Sequence, residues 1–561
     1  MNDTRRSPPD LPDGTPPDAR EAHEPRARAA EEIQAWLISH LAAIIGVSPD
    51  AIDEREPLIN YGLDSLHGVE MAGALENWIN RSLAPTILYE HKSIKALASY
   101  LARHNGFHGE VADEDADAGG GARRDSPGEE ALDPSIFSGG VPPTHLMEPA
   151  SVLLTGATGY LGSFLLHEFL QQTEAKIYCL VRCPNAAAGQ SRIRESLEAY
   201  SLWDDAFVPR IVAVAADLGR PMLGLSPREF QALAGEVDAV YHSGALVNYL
   251  FPYSALWAAN VFGTQEVLRL SSCVRMKPVH FISTLGIFYS ADNLTERVVY
   301  EHQQPGRSDS LYLGFGYAQS KRAAEDMVAG ARAHGLPVCV YRPGLISGHS
   351  RTGIWNTDDL LCRLIKGCIQ LGVAPELDIP LDMVPVDYVS RAIVRLSRSD
   401  GSLGKTFHLT NPRPLYWRNL LEWMRSFGYG LRLAPYEEWQ RALSDFVRAT
   451  SDSALAPLLP FFTERVPERQ ACIPEIYSRA KIPEFDCRNT LEGLAGTAIT
   501  CPAADDELLG TYFSYLIRSG FLEQPDGGPF EKPRADRQST RERPALTRRS
   551  RSHLEESSQQ P

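Results

Sequence analysis

SVLLTGATGYLGSFLLHEFLQ, residues 151–171, decides the fold. A short apolar run meets a glycine turn and then a helical segment, and the same alternation continues down the chain. KIYCLV (176–181), RIVAVAADL (210–218), AVYHSG (239–244), PVHFIS (278–283) and VCVYRPG (338–344) are strand-length, rich in β-branched residues and separated by helical stretches. That pattern predicts an α/β class, a doubly wound parallel sheet with helices on both faces. Beyond about Ile346 the alternation weakens into LLCRLIKGCIQLG and WRNLLEWMRSFGY, which read as a smaller helix-rich C-terminal cap domain. The sheet core is thus expected over about 150–345, inside a unit spanning 147–523.

Upstream lies a different kind of sequence. Residues 1–29 carry Pro, Asp, Glu and Arg with few large apolar groups and are expected to be disordered. Residues 30–104 read as a small all-α bundle. In Glu31–Ile45 the apolar residues Ile33, Trp36, Leu37, Leu41, Ile44 and Ile45 recur at helical spacing; a second helix carries Leu66, Val69, Ala72, Leu75 and Ile79; a third, Ser93–Arg103, carries Ile94, Leu97 and Leu101 with Ser93 as its cap. The acidic, glycine-rich stretch 105–146 is expected to be a flexible linker, and 524–561 a disordered basic tail.

Composition excludes several classes. With 561 residues and 43% hydrophobic content the chain supports more than one core, and its net charge of −16 argues against a nucleic-acid partner. Nine scattered cysteines (179, 183, 273, 339, 362, 368, 472, 487 and 501) make no metal-binding spacing and read as reduced thiols of a cytoplasmic protein. The N-terminus lacks the apolar core of a secretion signal. The uncharged stretch from Ala239 to Gln265 is long enough to cross a bilayer, but His242, Gly244, Asn248 and Pro252 within it favour a buried strand, loop and helix, so no membrane role is expected.

The glycine turn has GxxGxxG spacing, Gly156, Gly159 and Gly162, with Thr158 and Leu161 between them. Glycines let the backbone approach a pyrophosphate whose charge faces the helix N-terminus. Arg182 stands twenty positions past Gly162, where a carboxylate would grip NAD and an arginine accommodates the 2′-phosphate of NADP, so NADPH is the expected cofactor. Arg192 is a second candidate contact, Asp217 ends the third strand near the adenine, and Ser243, Gly244 and Ala245 end the fourth. Tyr317 and Lys321, four apart in GYAQSK, share a helical face, and a nearby ammonium is expected to lower the phenol's pKa. Thr284 adds a hydroxyl at the next strand end.

Together these residues resemble the extended short-chain dehydrogenase/reductase superfamily, with a Rossmann-like core, and more narrowly its thioester reductase branch. LVRC, MLGLS, HSGALVNYLFPYSALWAANVFGT, YRPGLISGHSRTGIWNTDDLLCRLIKG and MVPVDYV read like that branch. The resemblance implies Thr284, Tyr317 and Lys321 as catalytic residues and Asn260 as a structural and proton-relay asparagine beside the cofactor. Two positions depart from the pattern: Ala216 replaces a glycine before the aspartate, and Arg322 an aromatic residue after the lysine.

The bundle carries its own motif. PLINYGLDSL and EHKSIKALASYLARH resemble an acyl carrier domain over residues 31–103, which implies that Ser65 receives a covalent 4′-phosphopantetheine arm from a phosphopantetheinyl transferase. The pair implies NADPH-dependent reductive release of a carrier-bound acyl thioester as an aldehyde, or onward to an alcohol, with an acyl-loading enzyme acting in trans. A linker of about 40 residues gives a separation of roughly 35 Å and a local concentration on the order of millimolar. Two rivals share parts of the pattern: a nucleotide-sugar epimerase or dehydratase, and a non-catalytic carrier scaffold with a dinucleotide-sensing domain.

Overall fold

The computed structural model describes residues 30–45, 47–56, 58–61, a discontinuous set within 71–103, residues 132, 133 and 136, and then 148–289, 297–305, 316–399, 401–450, 453–466, 470–479 and 482–525. Ser65, residues 1–29, most of 105–146 and residues 526–561 lie outside that set, and with them the expectations made for those stretches.

In the N-terminal bundle, α1 (Ala30–Ile45) packs against α2 (Ile94–Arg103). Ile33, Leu37 and Leu41 meet Met71, Leu75, Leu97 and Leu101 in one apolar core, because residues three and four apart share a helix face. Ser93 Oγ accepts the Ala96 amide at 3.2 Å at the start of α2, the expected cap. Leu75 and Ile79 are helical and buried as the spacing predicted.

The larger unit is built on β1 (Ser151–Thr155), α3 (Tyr160–Gln172), β2 (Lys176–Val181), α4 (Ala186–Ala199), β3 (Ile211–Ala215), α5 (Pro227–Glu236), β4 (Ala239–His242), α6 (Gly263–Ser272), β5 (Val279–Ile282), α7 (Gly316–Ala333) and β6 (Val338–Pro343). All six expected strands are present. They form one sheet of seven strands in the order β7-β6-β5-β4-β1-β2-β3, every neighbour parallel, with β7 at Thr406–Leu409. Parallel strands need long crossovers, which here supply the helices that bury both faces. Val152, Leu154, Ile177 and Cys179 point to one apolar cluster, and Leu153, Val240, Val279 and Phe281 to the other.

The order of the strands reverses between β1 and β4. Open α/β sheets bind ligands at such a switch point, outside the carboxyl ends of the strands.

The cap boundary near Ile346 needs correction. After α8 (Leu360–Leu371) the chain returns to the core: α9 (Val386–Ser397) packs on α3, and β7 pairs with β6 through Thr406↔Val340 to Leu409↔Pro343. Strand TFHL is too short and too close to prolines to stand out by pattern. The cap proper gathers α8, α10 (Trp417–Phe427), α11 (Tyr436–Ala449) and α12 (Asp506–Arg518) around Trp417, Trp439, Tyr512 and Phe513. Among the described residues no helix is long and apolar enough to cross a membrane; Ala239–Gln265 is a strand, a loop and helical turns.

Candidate active site

The turn after β1 is built by glycine. Gly156 has φ +75°, a left-handed conformation, and a Cβ there would lie 2.7 Å from Gly244 Cα. A Cβ on Gly162 would overlap the Gly156 carbonyl. Thr155 Oγ1 accepts the Gly244 amide at 2.8 Å and meets His242 Nδ1 at 2.8 Å, while His242 Nε2 meets Thr264 Oγ1 at 3.0 Å. Burial, with the Lys321 charge adding to it, holds His242 neutral by pushing its pKa down to about 3. These bonds fix the glycine turn against the end of β4. Gly162→Ala is therefore expected to cost about 3 kcal/mol, the upper end of overpacking. A thermal melt and dinucleotide titration check it; a wild-type Tm with unchanged affinity would contradict the close approach.

A cleft of about 780 Å³ opens over this turn. Gly156, Thr158, Gly159, Leu161, Gly162, Arg182, Arg192, Asp217, Ser243, Gly244 and Ala245 line one end. Arg182 is exposed at the end of β2, and the Arg192 guanidinium donates to its carbonyl oxygen. Asp217 Oδ1 accepts the Gly219 amide at 2.9 Å, and its own amide donates to Leu223 O at 2.8 Å. Met222 and Leu223, with φ of 49° and 60°, hold that turn in a left-handed conformation unusual outside glycine. The cradle suits a dinucleotide: backbone space, a helix N-terminus and two guanidinium groups converge at one end.

Thr284, Tyr317 and Lys321 line the middle of the same cleft. Thr284 follows β5 and caps the turn Leu285–Phe288, its Oγ1 accepting the Gly286 amide at 3.1 Å. Tyr317 lies in the first turn of α7, and its ring meets Tyr249 edge-on at 6.3 Å. Lys321 Nζ donates to Ile282 O at 2.6 Å and lies 4.3 Å from the Phe281 ring centroid.

One expectation fails here. Burial pushes the Tyr317 phenol up to about 12, against the expected lowering, while the Lys321 ammonium donates to the β5 carbonyl. Lys321 itself is pulled down to about 8 by burial, with Glu325 one helical turn away opposing. Glu325 is held by Arg342, through Nε at 3.0 Å and through Nη2, and by the Ser283 hydroxyl. Arg342 also reaches His408 on β7 at 3.2 Å.

Two further positions singled out in the sequence do not line the cleft. Asn260 is buried behind the cleft wall, accepting the Leu246 amide at 2.7 Å and donating to Leu246 O and Ser320 Oγ. It ties the loop after β4 to α7, the structural part of its expected role, and is not among the residues that line the cleft. Arg322 turns away to Pro305 O and Asp326.

Part of the cleft lining is apolar and was not foreseen. Tyr249, Tyr289, Leu364, Ile379, Phe461 and Tyr477 come from segments spread over more than 200 residues, and no motif links them. Two carboxyls reach it, each already bonded. Asp359 accepts the Leu361 amide at 2.8 Å; Asp382 accepts Thr410 Oγ1 at 2.7 Å and the Asn411 amide at 2.6 Å. Burial lifts both to about 6.

Known proteins share this arrangement. A family described as "Male sterility protein" matches residues 154–393, and one described as "Phosphopantetheine attachment site" matches residues 35–101. A linear gramicidin synthase of Brevibacillus parabrevis is 35% identical over 492 residues, 87% of this chain and 9% of that protein. The L-2-aminoadipate reductase large subunit of Eremothecium gossypii is 31% identical over 86% of this chain and 36% of its own length. The chain thus spans well under two thirds of these relatives. The solved terminal R domain of the myxalamid PKS-NRPS pathway superposes with a TM-score of 0.65 at 46% identity, covering 71% of this chain and 98% of that one. With nearly the whole of that domain matched, and a phosphopantetheine attachment region ahead of it, this chain belongs to the terminal reductase domains of the extended short-chain dehydrogenase/reductase superfamily, joined to a carrier domain.

Proposed function

We propose that the chain releases an acyl group from a phosphopantetheine arm on Ser65 by NADPH-dependent reduction of the thioester to an aldehyde. The observation that carries this is convergence: the glycine cradle, the Thr284, Tyr317 and Lys321 set, and an apolar chamber open into one cleft. NADPH, when bound, supplies the hydride that reduces the thioester carbonyl. Gly156, Gly159 and Gly162 would bring backbone amides against its pyrophosphate, and Arg182 with Arg192 would hold its 2′-phosphate. Thr284 and Tyr317 donate hydrogen bonds to the carbonyl oxygen as it gains negative charge, and Tyr317 passes it a proton. Lys321 would hold the nicotinamide ribose. The resulting hemithioacetal breaks its carbon–sulfur bond, giving aldehyde and the free thiol of the arm.

The substrate is an acyl chain that is itself apolar, since Phe461, Tyr477, Leu364 and Ile379 offer it no charge and both nearby carboxyls are already bonded. Loading requires a phosphopantetheinyl transferase and an acyl-loading synthase enzyme. Nine free cysteines suit a reducing compartment, and we assign the reaction to the cytoplasm.

The deciding experiment loads defined acyl groups onto the pantetheinylated chain and follows NADPH oxidation with product mass. An octanoyl group should be released at least tenfold faster than a succinyl group, and NADPH preferred over NADH by a similar factor. Tightly retained NAD with turnover of nucleotide sugars, and none of thioesters, would sink the proposal.

The reaction should also lose rate in alkali. Lys321 is an ammonium below about pH 8 and a neutral amine above it. Because kcat/KM reports groups of the free enzyme, it should fall as pH rises past 8, and a flat profile to pH 10 would remove Lys321 from this role.

A further inference from the structure

Three described residues lie between the carrier helices and Glu148, and two of them, Leu132 and Asp133, contact the reductase. Leu132 joins the apolar cluster beneath α6 and α7, directly over Gly330, where an added Cβ would stand 3.5 Å from Leu132 Cδ2. Asp133 Oδ2 receives Arg269 Nη2 at 3.1 Å, and Arg269 is steadied by Glu266 at 3.1 Å. Ile136 is buried, its amide closing a turn on Asp133 O at 3.1 Å. This is a different state from the linker expected over the whole of 105–146.

We propose that Leu132, Asp133 and Ile136 anchor the tether, so that only the stretch from residue 104 to 131 governs how often the carrier meets the cleft. The proposal rests on the carrier-delivery reading above. Arg269 and Gly330 lie in the last turns of α6 and α7, at the end remote from Tyr317. Along α7 the distance from Gly330 to Tyr317 is about 20 Å at 1.5 Å per residue. The roughly 28 residues from 104 to 131 span at most about 100 Å, so reach is ample. What the anchor changes is local concentration, which falls as about the −3/2 power of tether length.

The test uses the full pantetheinylated chain and insertions of about 28 Gly/Ser residues. Placed after Gly120, the insertion doubles the governing stretch and should slow single-turnover release from Ser65 about threefold. Placed after Gly140, beyond the anchor, it should change nothing. With Leu132→Asp and Ile136→Asp together, both insertions should slow release equally, by about twofold. Turnover of soluble acyl-pantetheine, measured alongside, should stay the same in every variant and reports folding. A spin label on the arm thiol gives a reading independent of chemistry, since its paramagnetic broadening at Val247, exposed at the cleft, follows the same local concentration. Equal effects of the two insertions in the unsubstituted chain overturn the anchor. Unequal broadening without any thioester turnover keeps the anchor and rejects the release chemistry instead.

Discussion

Tyr317→Phe should lower kcat/KM for soluble acyl-pantetheine by about 10²–10⁴, the usual worth of a positioned acid. The substitution removes one oxygen and keeps the ring, so the edge-on contact with Tyr249 at 6.3 Å survives and the fold should not notice. NADPH affinity should stay within about threefold, because the cradle of Gly156, Gly159 and Gly162 lies on another element. A phenol pushed up to about 12 remains protonated at every working pH and is ready to donate. Its proton leaves only when the carbonyl oxygen has become strongly basic, which couples proton transfer to reduction. Stopped-flow NADPH oxidation measures the effect. A variant within tenfold of the parent would mean that Thr284 alone supports the oxygen and that Tyr317 is a wall of the cleft.

Ser65→Ala should abolish release of carrier-bound product while leaving turnover of soluble acyl-pantetheine intact. Alanine offers no hydroxyl for the phosphodiester, so the arm cannot be attached at all; the effect is all-or-none. The frame around that position is sound on either side: α1 and α2 share a core with Met71, Leu75 and Ile79, and none of those residues changes. What disappears is the tether's contribution, a local concentration on the order of millimolar. Intact-mass spectrometry after incubation with transferase and coenzyme A reads attachment, and product analysis reads release. An arm found on the alanine variant would place the attachment elsewhere.

Much of the sheet was legible because each of its first six strands is a β-branched run closed by a glycine or polar turn. The glycine cradle, Arg182, Thr284, Tyr317 and Lys321 were legible for the same reason: they sit at strand ends and helix starts, where local sequence fixes position. Other features depend on tertiary contact. β7 is four residues long and gains its identity only by pairing with β6. The direction of the Tyr317 shift turned on how deeply the phenol is buried, which spacing does not reveal. The apolar chamber needs Phe461 and Tyr477 brought across the cleft, and the anchor needs Leu132 laid on Gly330. Both are long-range events with no local signature.

The late return of β7 also bears on how the chain is made. Thr406 pairs with Val340 across more than sixty intervening residues, a contact whose closure entropy must be met before it brings any gain. During synthesis β6 therefore waits as an open edge until the segment from α8 through α9 has emerged, and an unpaired parallel edge is prone to association. A chain shortened at residue 393, where the family match stops, would keep the cradle and the tyrosine yet lack both β7 and His408, one of the partners of Arg342. Such a fragment should collect as aggregate, whereas one that continues through residue 525 carries the completed sheet.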